Sequence, residues 1–131
     1  MEIKVADKMQ REVYSARPEM SLRELITELV RREIRGCPVE DEQGRLVGVI
    51  SLSDAAVALG FPPEGNPDPT VGDVMARDVI GLEQTAPLQA AIDLFLKHRV
   101  HRLIITYRGR VVGILTPFDL IPTEEKKTVW I

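Results

Sequence analysis

Val5-Ala6-Asp7-Lys8-Met9 returns 66 residues later as Val71-Gly72-Asp73-Val74-Met75. The same offset sets Arg11 on Arg77, Val13 on Val79, Leu22 on Leu88 and Ile26 on Ile92. One residue is then dropped in a turn. At an offset of 65, Gly44-Arg45 meets Gly109-Arg110, Val47-Gly48 meets Val112-Gly113 and Asp54 meets Asp119. Chance gives isolated matches, not an ordered series with one gap. A chain that repeats itself must build one kind of unit twice.

Each copy reads as β-α-β-β-α. A short apolar extended piece is expected around Val13 or Val79. An amphipathic helix follows. Leu22, Leu25, Ile26, Leu29 and Val30 share one face of a 3.6-residue period, and so do Leu88, Ala91, Ile92, Phe95 and Leu96. Ser21 and Glu24 form a capping-box pattern, and Pro87 suits a first helical turn. Strands are expected at Cys37–Glu40 and Leu46–Ile50, and again at Leu103–Thr106 and Val111–Leu115, joined by turns at Gly44 and Gly109. A second helix is expected to begin near Ser51 or Thr116. Pro62, Pro63, Pro67 and Pro69 mark a linker. The organisation is therefore a first repeat over 1–59, a linker over 60–69, a second repeat over 70–122, ended by Pro122, and a polar tail over 123–131.

A unit of about 50 residues buries too little surface to stand alone. Two such units sharing a core about a pseudo-twofold axis predict an α/β (α+β) domain of small sheets flanked by helices, with a cleft on either side of the axis. The 131 residues suit that size, and 44% apolar with 28% charged residues is ordinary globular composition. A net charge of −3 gives no overall attraction for nucleic acid or an anionic membrane. No apolar run approaches a membrane span, the first ten residues lack a signal-peptide core, and the one cysteine, Cys37, fits a reducing compartment. A cytoplasmic location is expected.

Two motifs stand at strand-to-helix junctions. They are Ser51-Leu52-Ser53-Asp54 and Thr116-Pro117-Phe118-Asp119. A carboxylate accepts hydrogen bonds only, so it can take both from the cis-diol of a ribose, and a helix start favours an anion. The same spacing is also a helix cap, and one residue can do both. His101-Arg102 enters the middle strand of the second copy, where arginine's fork suits phosphate or simply faces water. Arg35-Gly36 stands at the matching place in the first copy. Arg31, Arg32, Lys97, His98 and Arg99 read as solvated charge after a helix. Gly48 and Gly113, inside strands, mark either a close backbone approach or tight packing. There is no phosphate loop, dinucleotide fingerprint, zinc-binding set or catalytic triad, so neither an enzyme nor a metal site is expected.

Val100-His101-Arg102-Leu103-Ile104-Ile105 with Gly113-Ile114-Leu115-Thr116 and Asp119 resembles the cystathionine-β-synthase (CBS) repeat. Gly36-Cys37-Pro38-Val39 with Gly48-Val49-Ile50-Ser51 and Asp54 resembles it too. The second copy is similar to the adenosine-phosphate-binding repeats of AMP-activated kinase gamma subunits. The resemblance implies a disc-like pair that often dimerises through its helices and takes an adenosine ligand in its clefts. It implies that Asp119 holds ribose, Thr116 and Ile114 border ribose and base, and His101 and Arg102 face phosphate. The opposite cleft would use Asp54, Ser51 and Val49, with Arg35 in place of the His-Arg pair. Base contacts would cross over: Met20, Leu25 and Val39 for Asp119, and Ala86, Ala91 and Ile105 for Asp54. Leu25 and Met20 depart from the small residue and hydroxyl frequent in the family, which narrows that base pocket.

The function expected is a stand-alone regulatory module with AMP, ADP or ATP as its regulatory ligand and no cofactor required. It would signal as a homodimer or to a protein partner. The alternatives are an interaction module with vestigial clefts, or a sensor of S-adenosylmethionine or NAD.

Overall fold

The computed structural model describes residues 2–79 and 81–122. The expected tail over 123–131, with its apolar Val129-Trp130-Ile131 end, lies outside the described residues. The chain is mixed α/β and gathers into two compact units. One is Tyr14–Val79; the other joins Met1–Val13 to Ile80–Ile131. The opening segment of the chain thus packs with the second copy, and the opening segment of the second copy packs with the first.

In the Tyr14–Val79 unit, helix α1 spans Leu22–Arg31. Ser21 caps it by accepting the Glu24 N–H at 3.2 Å. Leu22, Leu25 and Leu29 are fully buried, each contributing about 1.5–3 kcal/mol by leaving water. The helix ends where Glu33 turns left-handed at φ 57. There Ile34 N–H reaches Leu29 O at 3.0 Å and Glu33 N–H reaches Val30 O at 3.1 Å, which satisfies the last carbonyls. The chain then enters β1 (Gly36–Glu40), which pairs antiparallel with β2 (Leu46–Ser51). Asp41 fastens the hairpin, its Oδ1 accepting Gln43 N–H and Arg45 N–H, each at 2.9 Å. Helix α2 covers Leu52–Gly60 and the single turn α3 covers Val71–Val74.

The other unit repeats the plan. Strand β3 (Leu82–Glu83) runs parallel to β4 (Leu103–Tyr107), which pairs antiparallel with β5 (Arg110–Leu115). Helix α4 is Leu88–His98 and ends at Arg99, left-handed at φ 50, the residue equivalent to Glu33. The β4–β5 turn is the tight pair Arg108-Gly109, with φ 52 and 81, a twist that suits a two-residue hairpin loop. The residue lost between the copies is lost here. Both hairpins carry a register shift at the same place, between Val39 and Glu40 and between Ile105 and Thr106.

Four expectations change. The helix expected after Thr116 is a four-residue 3-10 turn, Pro117–Leu120, and Ile121 is already extended before Pro122. The pairing expected around Val13 and Val79 falls three residues later, on Ala16, which bridges to Val39, and on Leu82. Two-residue pairings carry too little alternation to fix their register in sequence. Pro87 stands one place before α4, at its N-cap, rather than in its first turn. The proline-rich stretch is not all exposed connection. Gly60 completes α2, and Pro69 is fully buried while its carbonyl accepts Leu22 N–H at 3.1 Å.

Gly48 and Gly113 are explained by close backbone approach. A Cβ on Gly48 would stand 2.7 Å from Met75 Sδ and 2.8 Å from Ala76 O. A Cβ on Gly113 would stand 2.6 Å from Met9 Sδ and 2.9 Å from Gln10 O. In each unit an opening segment lies across the last strand as a strap. Ala76 exchanges two backbone hydrogen bonds with Val49 (3.0 and 2.9 Å), and Gln10 exchanges two with Ile114 (2.8 and 2.9 Å).

Candidate ligand-binding site

Each unit presents its acid just past the last strand, and the two acids are held differently. In the Tyr14–Val79 unit, Ser51 ends β2 and its hydroxyl accepts Asp54 N–H at 3.0 Å. The serine acts as the cap. Asp54 itself is exposed, and its carboxylate takes no hydrogen bond among the described residues. Leu52 N–H donates to Arg35 O at 2.8 Å, so the start of α2 is tied to the residue leading into β1. Arg35 is exposed, as are Arg31 and Arg32, whose guanidinium groups pair with Glu28 at 2.7 and 3.1 Å. Those two cations hold the Glu28 carboxyl below its ordinary range, chiefly through hydrogen bonds from Arg31 and then Arg32.

In the other unit the acid itself turns back. Asp119 is 5% exposed. Its Oδ2 accepts the Thr116 N–H at 2.8 Å and the Thr116 hydroxyl at 3.2 Å. Its Oδ1 accepts Gln10 Nε2 at 2.8 Å. The capping alternative therefore holds for both motifs, with the roles exchanged: hydroxyl as acceptor in one, carboxylate as acceptor in the other. His101 and Arg102 are exposed immediately before β4.

The residues assigned to the base divide into two groups. Val49, Ile114, Met20 and Ala86 are half-buried and keep accessible surface. Leu25 and Val39 sit at zero exposure in one core cluster, and Ala91 and Ile105 at zero exposure in the other. Met20 is flanked by Tyr14, whose hydroxyl points at its sulfur at 3.7 Å. Arg32 lies 4.3 Å over the Tyr14 ring. Burial, then the nearby Cys37 and Glu28, raises the Tyr14 hydroxyl above its ordinary range, with Arg32 opposing.

Two groups escaped the sequence reading. Gln10 is one: its role depends on a contact 109 residues away in the chain, which no local pattern announces. The other is Ser15, whose buried Oγ has no hydrogen-bond partner among the described residues. A serine in an extended apolar stretch gives no signal until its burial is seen. Among the described residues no group of three His, Cys, Asp or Glu side chains is placed to hold a metal.

A family model described as the CBS domain matches residues 3–60 and again 71–123. An uncharacterised protein of Methanocaldococcus jannaschii is 37% identical over 120 residues, which cover 91% of this chain and 38% of that protein. The chain spans well under half of the curated relatives it matches, and only 22% of an inosine-5'-monophosphate dehydrogenase of Thermoplasma acidophilum. Among solved structures, the CBS domain pair of protein MJ0100 in complex with 5'-methylthioadenosine and S-adenosyl-L-methionine is similar at a TM-score of 0.74 and 28% identity, covering 92% of this chain and 94% of that one. CBSX2 in complex with AMP is similar at a TM-score of 0.79 and 26% identity, covering 96% and 98%.

Proposed function

The chain belongs to the CBS domain family, and on that premise we propose that it is a regulatory module that binds an adenine nucleotide, AMP, ADP or ATP. One observation carries the proposal. An acid follows the last strand of each unit at the same place, and the similar CBSX2 structure holds AMP. Asp119 and Thr116 are proposed to receive the ribose, Ile114 the base, and His101 and Arg102 the phosphate. Asp54, Ser51, Val49 and Arg35 take the same roles on the other unit. Met20 and Ala86, which keep accessible surface, are proposed as base contacts, with Leu25, Val39, Ala91 and Ile105, at zero exposure, proposed to back that surface from the cores.

The physical case rests on complementarity. The exposed Arg102 guanidinium suits a phosphate that needs charge-assisted donors, and the neighbouring exposed His101 imidazole can donate as well. Carboxylates suit hydroxyl donors. A regulatory rather than catalytic role is proposed because the two CBS matches occupy most of the chain. A homodimer or a protein partner would read occupancy. The exposed apolar side chains Val30, Val57 and Phe61 on one unit and Leu96 on the other are available for such contacts. A cytoplasmic setting completes the proposal; no helix among the described residues is long and apolar enough to cross a membrane.

Isothermal titration with AMP and ATP tests this. Wild-type protein binds, and the Asp54→Ala, Asp119→Ala double variant does not. Absence of heat with every adenosine compound sinks the proposal and leaves an interaction module whose acids serve only as caps. The similar MJ0100 structure, with S-adenosylmethionine and methylthioadenosine, favours a second reading in which the ligand is an adenosyl thioether or sulfonium. Arg102→Ala separates the two, since it weakens a nucleotide and spares a ligand without phosphate. Native mass spectrometry of freshly purified protein gives subunit count and retained ligand together.

A further inference from the structure

We infer that Gln10 is a specificity-determining residue that covers Asp119, so that the two ribose acids of this chain are unequal receptors for a diol. The inference rests on the reading of Asp119 as a ribose acceptor. An ionised carboxylate offers about four acceptor directions. Asp119 has three hydrogen bonds already, from Thr116 N–H, the Thr116 hydroxyl and Gln10 Nε2. A vicinal diol brings two donors, one more than remains.

Thr116 donates from the turn that Asp119 itself belongs to. Gln10 comes from elsewhere, and its residue is exposed. The other unit lacks that donor. The strap, the glycine opposite it and the strand are the same, but Ala76 stands at the Gln10 place. Alanine has no amide to give, and Asp54 is exposed. Ribose therefore engages Asp54 with both hydroxyls directly. At Asp119 it does so only when the Gln10 amide swings away, and otherwise with one hydroxyl. The backbone of Gln10 does not need to move, because Ile114 holds it by two bonds independent of the side chain.

The test isolates one acid at a time and compares AMP with 2'-deoxy-AMP by isothermal titration. In an Asp54→Ala background, adding Gln10→Ala tightens AMP by about tenfold, the order expected for releasing a hydrogen bond to a charged group. It changes 2'-deoxy-AMP little, so the preference for the ribonucleotide widens. In an Asp119→Ala background, Ala76→Gln lowers AMP affinity and narrows the preference. The preference is a ratio within one variant, so general destabilisation does not mimic it. An unchanged ratio, or weaker AMP binding in Gln10→Ala, overturns the inference while leaving nucleotide binding intact. If neither parent variant binds AMP, the ribose reading falls and this inference with it. That result is distinguishable, because it appears before Gln10 is touched.

Discussion

Asp54 and Asp119 occupy one position in a duplicated plan, yet one faces water and the other is 5% exposed with its carboxylate hydrogen-bonded on both oxygens. The two turns start from similar backbone but use it differently: the Ser51 hydroxyl caps α2 by accepting Asp54 N–H, whereas Asp119 turns back in a 3-10 turn to accept Thr116 N–H. Ser51 and Thr116 are both extended N-caps, with φ/ψ of −99/156 and −119/161. The strap adds a further difference, since it brings Ala76 alongside in one unit and Gln10 in the other. Duplication preserved the frame, while the local turn and one strap residue together give Asp119 three hydrogen bonds that Asp54 lacks among the described residues. The lesson is that a repeated motif fixes where a group sits, whereas the acceptor directions it keeps open depend on its own turn and also on a neighbour distant in sequence.

The largest effect should come from disturbing the straps. Gly113→Ala forces a Cβ against Met9 Sδ and Gln10 O, and Gly48→Ala does the same against Met75 Sδ and Ala76 O. Each should cost about 1–3 kcal/mol in urea unfolding, the range for overpacking. Only Gly113→Ala should also shift the Gln10 side-chain amide resonance, because only that strap carries a donor to an acid. Equal spectral silence in both would break the link between strap and acid.

Next in size are the acids themselves. Asp119→Ala removes a buried acceptor of three hydrogen bonds and should cost about 2 kcal/mol. Asp54→Ala, at an exposed position, should stay within about 0.5 kcal/mol. Equal melting losses would mean that the contrast between the units is not energetic. The smallest effect concerns the turns that begin the straps. Asp7 Oδ2 accepts Lys4 N–H and Asp73 Oδ2 accepts Thr70 N–H, both at 2.9 Å. Asp73 also takes Asn66 Nδ2 at 3.0 Å.

The Thr70 backbone bond first, then the Thr70 side chain and Asn66, lower the Asp73 carboxyl below its ordinary range. A carboxyl lowered in the folded state adds stability that is complete above its unfolded value. That stability is lost as pH falls through the folded value. Carbon-detected NMR titration should place the Asp73 midpoint below that of an unfolded aspartate. Asn66→Ala should move the midpoint upward, and an unmoved midpoint removes Asn66 from the account.

Much of this was legible in the residues because it is periodic or local. The Leu22-Leu25-Leu29 stripe, the paired hairpins and the Ser21 cap follow from 3.6-residue and two-residue periods and from turn chemistry, whereas Gly48 and Gly113 were legible only as a choice between close approach and tight packing. The acids were legible as a duplicated spacing, and so was their capping role. The truncated turn after Thr116 was not, since Pro117 favours a helix start equally whether one turn follows or three. Nor were the zero-exposure positions of Leu25, Val39, Ala91 and Ile105 separable from pocket walls, because an apolar residue that lines a cavity and one that fills a core read alike.

Sequence alone determined that the chain builds one α/β unit twice, with an acid after each final strand, because repeats and hydrophobic periods are short-range properties of the residues themselves. Tertiary structure decided which opening segment straps which hairpin, and hence that Asp119 meets Gln10 while Asp54 meets no amide. That choice depends on backbone pairing across 104 residues, between Gln10 and Ile114, where no local preference reaches.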